Sequence, residues 1–306
     1  MSIMLARLLF LMLLSPLVAA EPVTRMVEGK GVSLYTVLYP KDNSETIILL
    51  HGGPGVPMGF HQIVEVLSKK YQIIVFDQRG TGRSPMRNTD YSMEAYVQDM
   101  NFIAEQYGLS NFHIFGHSWG GLYAQIYAEK FPKNVLSLFL SSPSSGTGDH
   151  WKQTESEVLE FNKSKATTWQ WLMMGVNSLR GMLGSDSAYQ TMFRQVIANY
   201  NKGLDVEVSV GEAEFEQVRA DPVNITREYI LKYPLLNSPV SYNFPIVVQY
   251  GDGEKDIYAK SKQHIYERFP DAKISTIENS GHIAWLNNPH DFNELLKSFY
   301  RINQVL

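Results

Sequence analysis

The chain has 306 residues, 44% apolar and 19% charged, which is enough to bury a full core and an inserted subdomain and is too apolar for a disordered chain. A formal charge of −4 argues against nucleic acid as a partner. The absence of cysteine excludes disulfides, thiol catalysis and thiolate metal sites.

Met1–Ala20 reads as an export signal: Arg7 in a short basic segment, an apolar run from Leu8 to Leu17 broken by Ser15 and Pro16, then Ala19 and Ala20 before Glu21. The run is shorter than the roughly 20 residues of a membrane span, so cleavage after Ala20 is expected, with an uncleaved anchor as the alternative. Loss of Arg7 makes the mature chain one unit more negative. No other segment approaches a span, and a periplasmic or secreted protein without disulfides is the expectation.

Gly31 to Leu38 alternates as a half-buried strand, followed by a turn through Pro40, Asp42 and Asn43. Short, doubly apolar runs follow at Ile47–Leu50, Ile73–Phe76, Phe112–Phe115, Leu136–Leu140 and Ile246–Val248, and a strand-like stretch at Lys273–Ile277. Such runs fit strands covered on both faces of a parallel sheet. Helical spacing fills the gaps at His61–Lys70, Met93–Tyr107, Leu122–Phe131, Ser261–Phe269 and Asp291–Tyr300. The alternation predicts an α/β fold with a doubly wound, mostly parallel sheet. It breaks over residues 143–244, read as an inserted helical cap between core segments 21–142 and 245–306. Trp151, Trp169, Trp171, Met173 and Met174 there are either cap core or the lining of a substrate pocket.

Gly116-His117-Ser118-Trp119-Gly120 follows a strand-like run and opens a helix, as a nucleophile elbow requires. Ser118 in a sharp strand-to-helix turn needs small residues two positions away on each side, which Gly116 and Gly120 supply. A serine hydroxyl is a weak nucleophile without a base. His282, in Asn279-Ser280-Gly281-His282 between the last strand and the last helix, is the candidate base. The acid falls in Gly251-Asp252-Gly253-Glu254-Lys255-Asp256; proteins of similar fold commonly place it three residues after the strand-ending glycine, which implies Glu254 counted from Gly251 or Asp256 counted from Gly253, with Glu254 favoured by its ungapped register to His282 and Asp252 disfavoured. Oxyanion donors are the amides of Gly53, in His51-Gly52-Gly53-Pro54-Gly55, and of Trp119. His51 and His117 read as structural, and His61, His113, His150, His264 and His290 show no pairing at metal spacing, so neither a metal nor a cofactor is implied.

The glycine-rich turn, Asp77-Gln78-Arg79-Gly80-Thr81-Gly82-Arg83-Ser84 and Gly116–Gly121, in that order, resemble the proline iminopeptidase group of the α/β-hydrolase superfamily. The resemblance runs from about Thr46 to Phe131 and from Pro245 to Tyr300. It implies a serine triad and cleavage of an N-terminal residue, often proline, from short peptides, with Asp77, Arg79 and Arg83 as structural ties. Relatives hold the substrate amine with acidic residues. Here Lys255 and Ile257 follow the two acid candidates and Trp169-Gln170-Trp171-Leu172 lacks an acid, leaving Glu212, Glu214 and Glu216 as cap carboxylates for that role, or as a solvated helix face. The alternative substrate is a small ester or lactone; a non-catalytic ligand-binding protein on the same scaffold is the reading from another class.

Overall fold

The computed structural model describes residues 21–57, 59–205, 210–255 and 257–302. The expected export signal and the candidate acid Asp256 lie outside the described residues.

Eight strands form one sheet in the order β1-β2-β4-β3-β5-β6-β7-β8. β1 (Val23–Gly29) and β2 (Val32–Tyr39) pair antiparallel, and β2 meets β4 (Gln72–Phe76) antiparallel. β3 (Thr46–Leu50), β4, β5 (Phe112–His117), β6 (Val135–Ser141), β7 (Ile246–Gly251) and β8 (Lys273–Ile277) run parallel. This is the doubly wound, mostly parallel sheet expected. β1 was not expected: six of its seven residues are not buried, and only Val27 joins the core, so its sequence carries no alternation and the strand exists by pairing with β2.

The doubly apolar runs follow from helices on both faces. Ile48, Leu50, Ile114, Leu138 and Leu140 pack on one side with α2 (Met93–Gln106) and α3 (Trp119–Lys130). Their neighbours Ile47, Leu49, Phe115 and Phe139 pack on the other with α1 (His61–Leu67) and α11 (Pro289–Phe299), because alternate residues of a strand face opposite ways. α3 begins at Trp119, three residues before the expected Leu122; Gly120 and Gly121 are poor helix formers, but close packing on β3 and Pro143 holds them.

Between β6 and β7 lie α4 (Asp149–Lys165), α5 (Thr168–Met182), α6 (Asp186–Asn201), α7 (Glu212–Phe215) and α8 (Ala220–Lys232). α9 (Ala259–Arg268) and α10 (Ala284–Asn287) complete the set after β7. The aromatic and Met residues of the insertion do not act as one stripe: Trp151 and Met174 are buried, Trp171 and Met173 are half-buried, and Trp169 is 68% exposed. No described helix is long and apolar enough to cross a membrane.

The chain leaves β3 towards β4 on one side and resumes at β5 on the other. The carboxyl ends of β3 and β5 therefore flank the topological switch point, where open α/β sheets form a crevice. The glycine-rich turn leaves β3 there, and Ser118 leaves β5.

Candidate active site

Ser118 sits between β5 and α3 at φ 54°, ψ −119°, a conformation that L residues rarely hold without support. Support comes from the backbone: its N–H donates to Ser141 O at 3.0 Å, and its carbonyl accepts from Gly121 N at 2.9 Å and Ser144 N at 3.1 Å. Both flanking glycines are sterically required. A Cβ on Gly116 would fall 2.4 Å from Gly120 O, and one on Gly120 would fall 2.2 Å from Leu50 O. The side chain of Ser118 is half-buried.

The turn after β3 lies against this elbow. A Cβ on Gly52 would sit 3.3 Å from Ser118 Cβ, and Gly53 adopts φ 120°, open only to glycine. Trp119, as the first residue of α3, has an amide with no acceptor one turn back in the helix. Gln78 joins the two motifs: its N–H donates to His51 Nε2 (3.1 Å), its Nε2 to His51 O (2.9 Å), and its Oε1 accepts from Trp119 Nε1 (2.8 Å). His51 Nδ1 in turn donates to Gly52 O at 2.8 Å, and burial lowers its pKa, so the ring is a neutral spacer.

His282 enters on the loop between β8 and α10. Its Nδ1 lies 2.7 Å from Glu254 Oε1. A carboxylate can only accept, so Nδ1 carries the proton and Nε2 is left with its lone pair. The imidazole lies 4.7 Å, centroid to centroid, from the ring of His117, which directly precedes Ser118, and stacks on Tyr200 of α6 at 4.6 Å. His117 is buried, and burial, then the neighbouring His282, holds its pKa well below the usual value. It stays neutral beside His282.

Glu254, in a single 3-10 turn after β7, is fully buried. Burial raises its pKa, but hydrogen bonds from His282, Ser142 Oγ (2.6 Å) and Gly251 N (2.9 Å) outweigh that and leave it below the usual carboxylate range. Ser142, at φ 44°, follows β6 and carried no sequence signal beyond its place at a strand end. Asp252 is occupied elsewhere: its Oδ1 accepts from Ser280 N at 3.0 Å, tying the acid loop to the histidine loop. Tyr200 was not singled out either, since nothing in its local sequence says which core loop it meets.

The loop after β4 is tied as the resemblance implied. Arg79 grips Asp99 with two hydrogen bonds of 2.8 and 2.7 Å, both side chains buried, and Arg83 pairs with Asp77 at 3.0 Å. Of the cap carboxylates, Glu214 is partly buried, and a Cβ on Gly59 would meet its Oε1 at 2.6 Å; Glu216 is exposed, and the side chain of Glu212 lies outside the described residues. Among the described residues no three metal-ligating side chains gather. A cavity of about 280 Å³ beside Val240, Phe244 and Phe269 involves none of these groups.

Residues 45–170 match the family model described as the alpha/beta hydrolase fold. A proline iminopeptidase of Lactobacillus delbrueckii subsp. lactis is 34% identical over 122 residues, 38% of this chain and 41% of that protein. The chain thus matches about two fifths of the length of that relative. Lipase 3 of Moraxella sp. (strain TA144) is 28% identical over 266 residues, 83% of this chain and 77% of the lipase. Among solved structures, VinJ superposes with a TM-score of 0.70 at 16% identity, covering 92% of this chain and 99% of that one.

Proposed function

We propose that the chain, which has the α/β-hydrolase fold and matches proline iminopeptidases in sequence over about two fifths of its length, is a serine hydrolase. Ser118 Oγ attacks a substrate carbonyl as His282 Nε2 takes its proton. Glu254 holds the Nδ1–H and offsets the imidazolium that forms. The Gly53 and Trp119 amides receive the oxyanion, His282 returns the proton to the leaving group, and water then cleaves the acyl-enzyme. The supporting observation is the 2.7 Å contact from buried Glu254 to His282, whose ring abuts the residue before Ser118.

The acyl group is proposed to be the N-terminal residue of a short peptide, on the strength of the motifs shared with the iminopeptidases. Glu214 fits an amine-binding role, since its carboxyl lies beside Gly59 on the loop that leads from the glycine-rich turn. An ester substrate is the second reading, favoured by the longer match to a lipase. Export through Met1–Ala20 is proposed from the sequence of that segment.

Fluorophosphonate labelling tests the nucleophile: the wild type labels and Ser118→Ala does not, whereas unchanged labelling of the variant removes the assignment. A prolyl arylamide compared with short-chain aryl esters separates the substrates. Ester turnover without arylamide cleavage selects the second reading.

A further inference from the structure

α5 is amphipathic in the reverse sense. Its inward residues, Met174, Asn177 and Gly181, are one thioether, one amide and one glycine. Gly181 is pressed against the Tyr189 ring of α6, where a Cβ would fall 2.4 Å from Cδ1, and its carbonyl accepts from Asn224 Nδ2 of α8 at 3.0 Å. Asn199 Nδ2 of α6 faces Met174 Sδ. The opposite face carries Trp169, Leu172, Val176, Leu179 and Leu183 at helical spacing, each between 40% and 89% exposed, with Met182 beside them at 55%. A helix on a water-facing surface normally turns its apolar stripe inward; an apolar stripe about 20 Å long turned outward marks an interaction surface.

The charges around the stripe select the occupant. Between Glu160 and Asp186 the chain has no carboxylate, while Lys163, Lys165 and Arg180 fall in that interval. Lys202 adds a cation at the same end, its Nζ donating to Lys165 O at 2.6 Å. Asp186, just beyond the helix, is taken up by the Ala220 amide at 2.7 Å. An apolar stripe with a tryptophan at one end, bordered by cations at both ends, suits an interface of acyl chains beneath anionic headgroups. Self-pairing through this face would bring Lys163, Lys165 and Arg180 against one another, with only the flanking Glu160 and Asp186 as carboxylates near the ends of the stripe.

We propose that the outward face of α5 docks on an anionic lipid surface. The inference is independent of the hydrolase reading, because its readout is partition rather than turnover. The test is flotation of the full chain with vesicles of phosphatidylcholine and phosphatidylglycerol in equal parts, beside phosphatidylcholine alone. The wild type floats with the mixed vesicles, less with the neutral ones, and less again as salt is raised. Leu172→Glu with Leu179→Glu, both exposed and so compatible with an unchanged fold by circular dichroism, lowers the bound fraction by about tenfold or more. Trp169→Phe still floats but loses the blue shift of tryptophan emission that vesicles induce in the wild type. Equal flotation of the double variant assigns any binding to another segment, Met1–Ala20 included, and overturns the proposal. So does failure of the wild type to float, or concentration-dependent dimerisation that the double variant abolishes, which identifies a second copy as the occupant.

Discussion

Tyr200 and His282 stack with ring centroids 4.6 Å apart and planes 19° from parallel. A residue of the inserted helices thus fixes one face of an imidazole whose edge is held by Glu254, and the contact is set by close backbone approach: a Cβ on Gly281 would fall 2.6 Å from Tyr200 O. The Tyr200 hydroxyl is bound to Tyr258 Oη at 2.9 Å.

Tyr200→Leu is expected to lower kcat by about tenfold with a smaller change in KM, because the ring of the base loses its lateral support while the substrate contacts remain. Tyr200→Phe keeps the stack and most of the turnover, but leaves the Tyr258 hydroxyl without its partner, at about 1–2 kcal/mol of stability. Steady-state kinetics and urea unfolding on both variants separate the two effects.

Glu254→Gln is expected to reduce kcat on the order of 10³–10⁴-fold, since an amide cannot hold the Nδ1–H tautomer and offset the imidazolium together. Asp256→Asn is expected to leave kcat within about twofold. A reversed pattern transfers the acid role to Asp256. Ser142→Ala removes a donor from a buried carboxylate and is expected to cost about 1–3 kcal/mol by chemical denaturation.

Stability is expected to fall with acid in two stages. His51 and His117 have folded pKa values lowered from 6.5, so below that pH the unfolded chain binds more protons and stability starts to drop. Glu254 is lowered from 4.5; its contribution is complete above the unfolded value and is lost as pH falls through the folded one. Urea midpoints from neutral pH downward measure both stages, and Glu254→Gln is expected to flatten the second.

Gly120→Ala is expected to cost about 1–3 kcal/mol and most of the activity, because the new methyl meets backbone carbonyls of β3 and the next turn that cannot move without shifting the glycine-rich loop. Gly175→Ala, inside α5 with no atom within 4 Å of the added Cβ, is expected to stabilise by about 0.5–1 kcal/mol. Thermal unfolding of the pair distinguishes a steric glycine from an incidental one.

Glu214→Gln is expected to raise KM for a prolyl arylamide several-fold while leaving KM for an aryl ester unchanged, if Glu214 meets the substrate amine. Equal effects on both substrates assign Glu214 a structural role on the Gly59 loop.

Local chemistry was legible in the sequence wherever a residue type is forced by its immediate geometry. The positive φ of Ser118, the crowding at Gly116 and Gly120, and the strands buried on both faces each leave a signature within a few residues. β1 left none, because pairing with β2 rather than burial holds it. The sequence alone offered two carboxylates for His282; the turn after β7 brings Glu254 into contact with it, and the fold adds Ser142 and Tyr200 from elements distant in the chain. The Trp and Met residues of the inserted helices were legible as cap core or pocket lining, but not the outward apolar face of α5 or the direction in which it points. That direction depends on which residues the neighbouring helices can pack against closely, and α6 and α8 take the small and polar side. Spacing along a chain is a one-dimensional quantity, whereas the partner of a side chain is chosen by how separate elements fill space together.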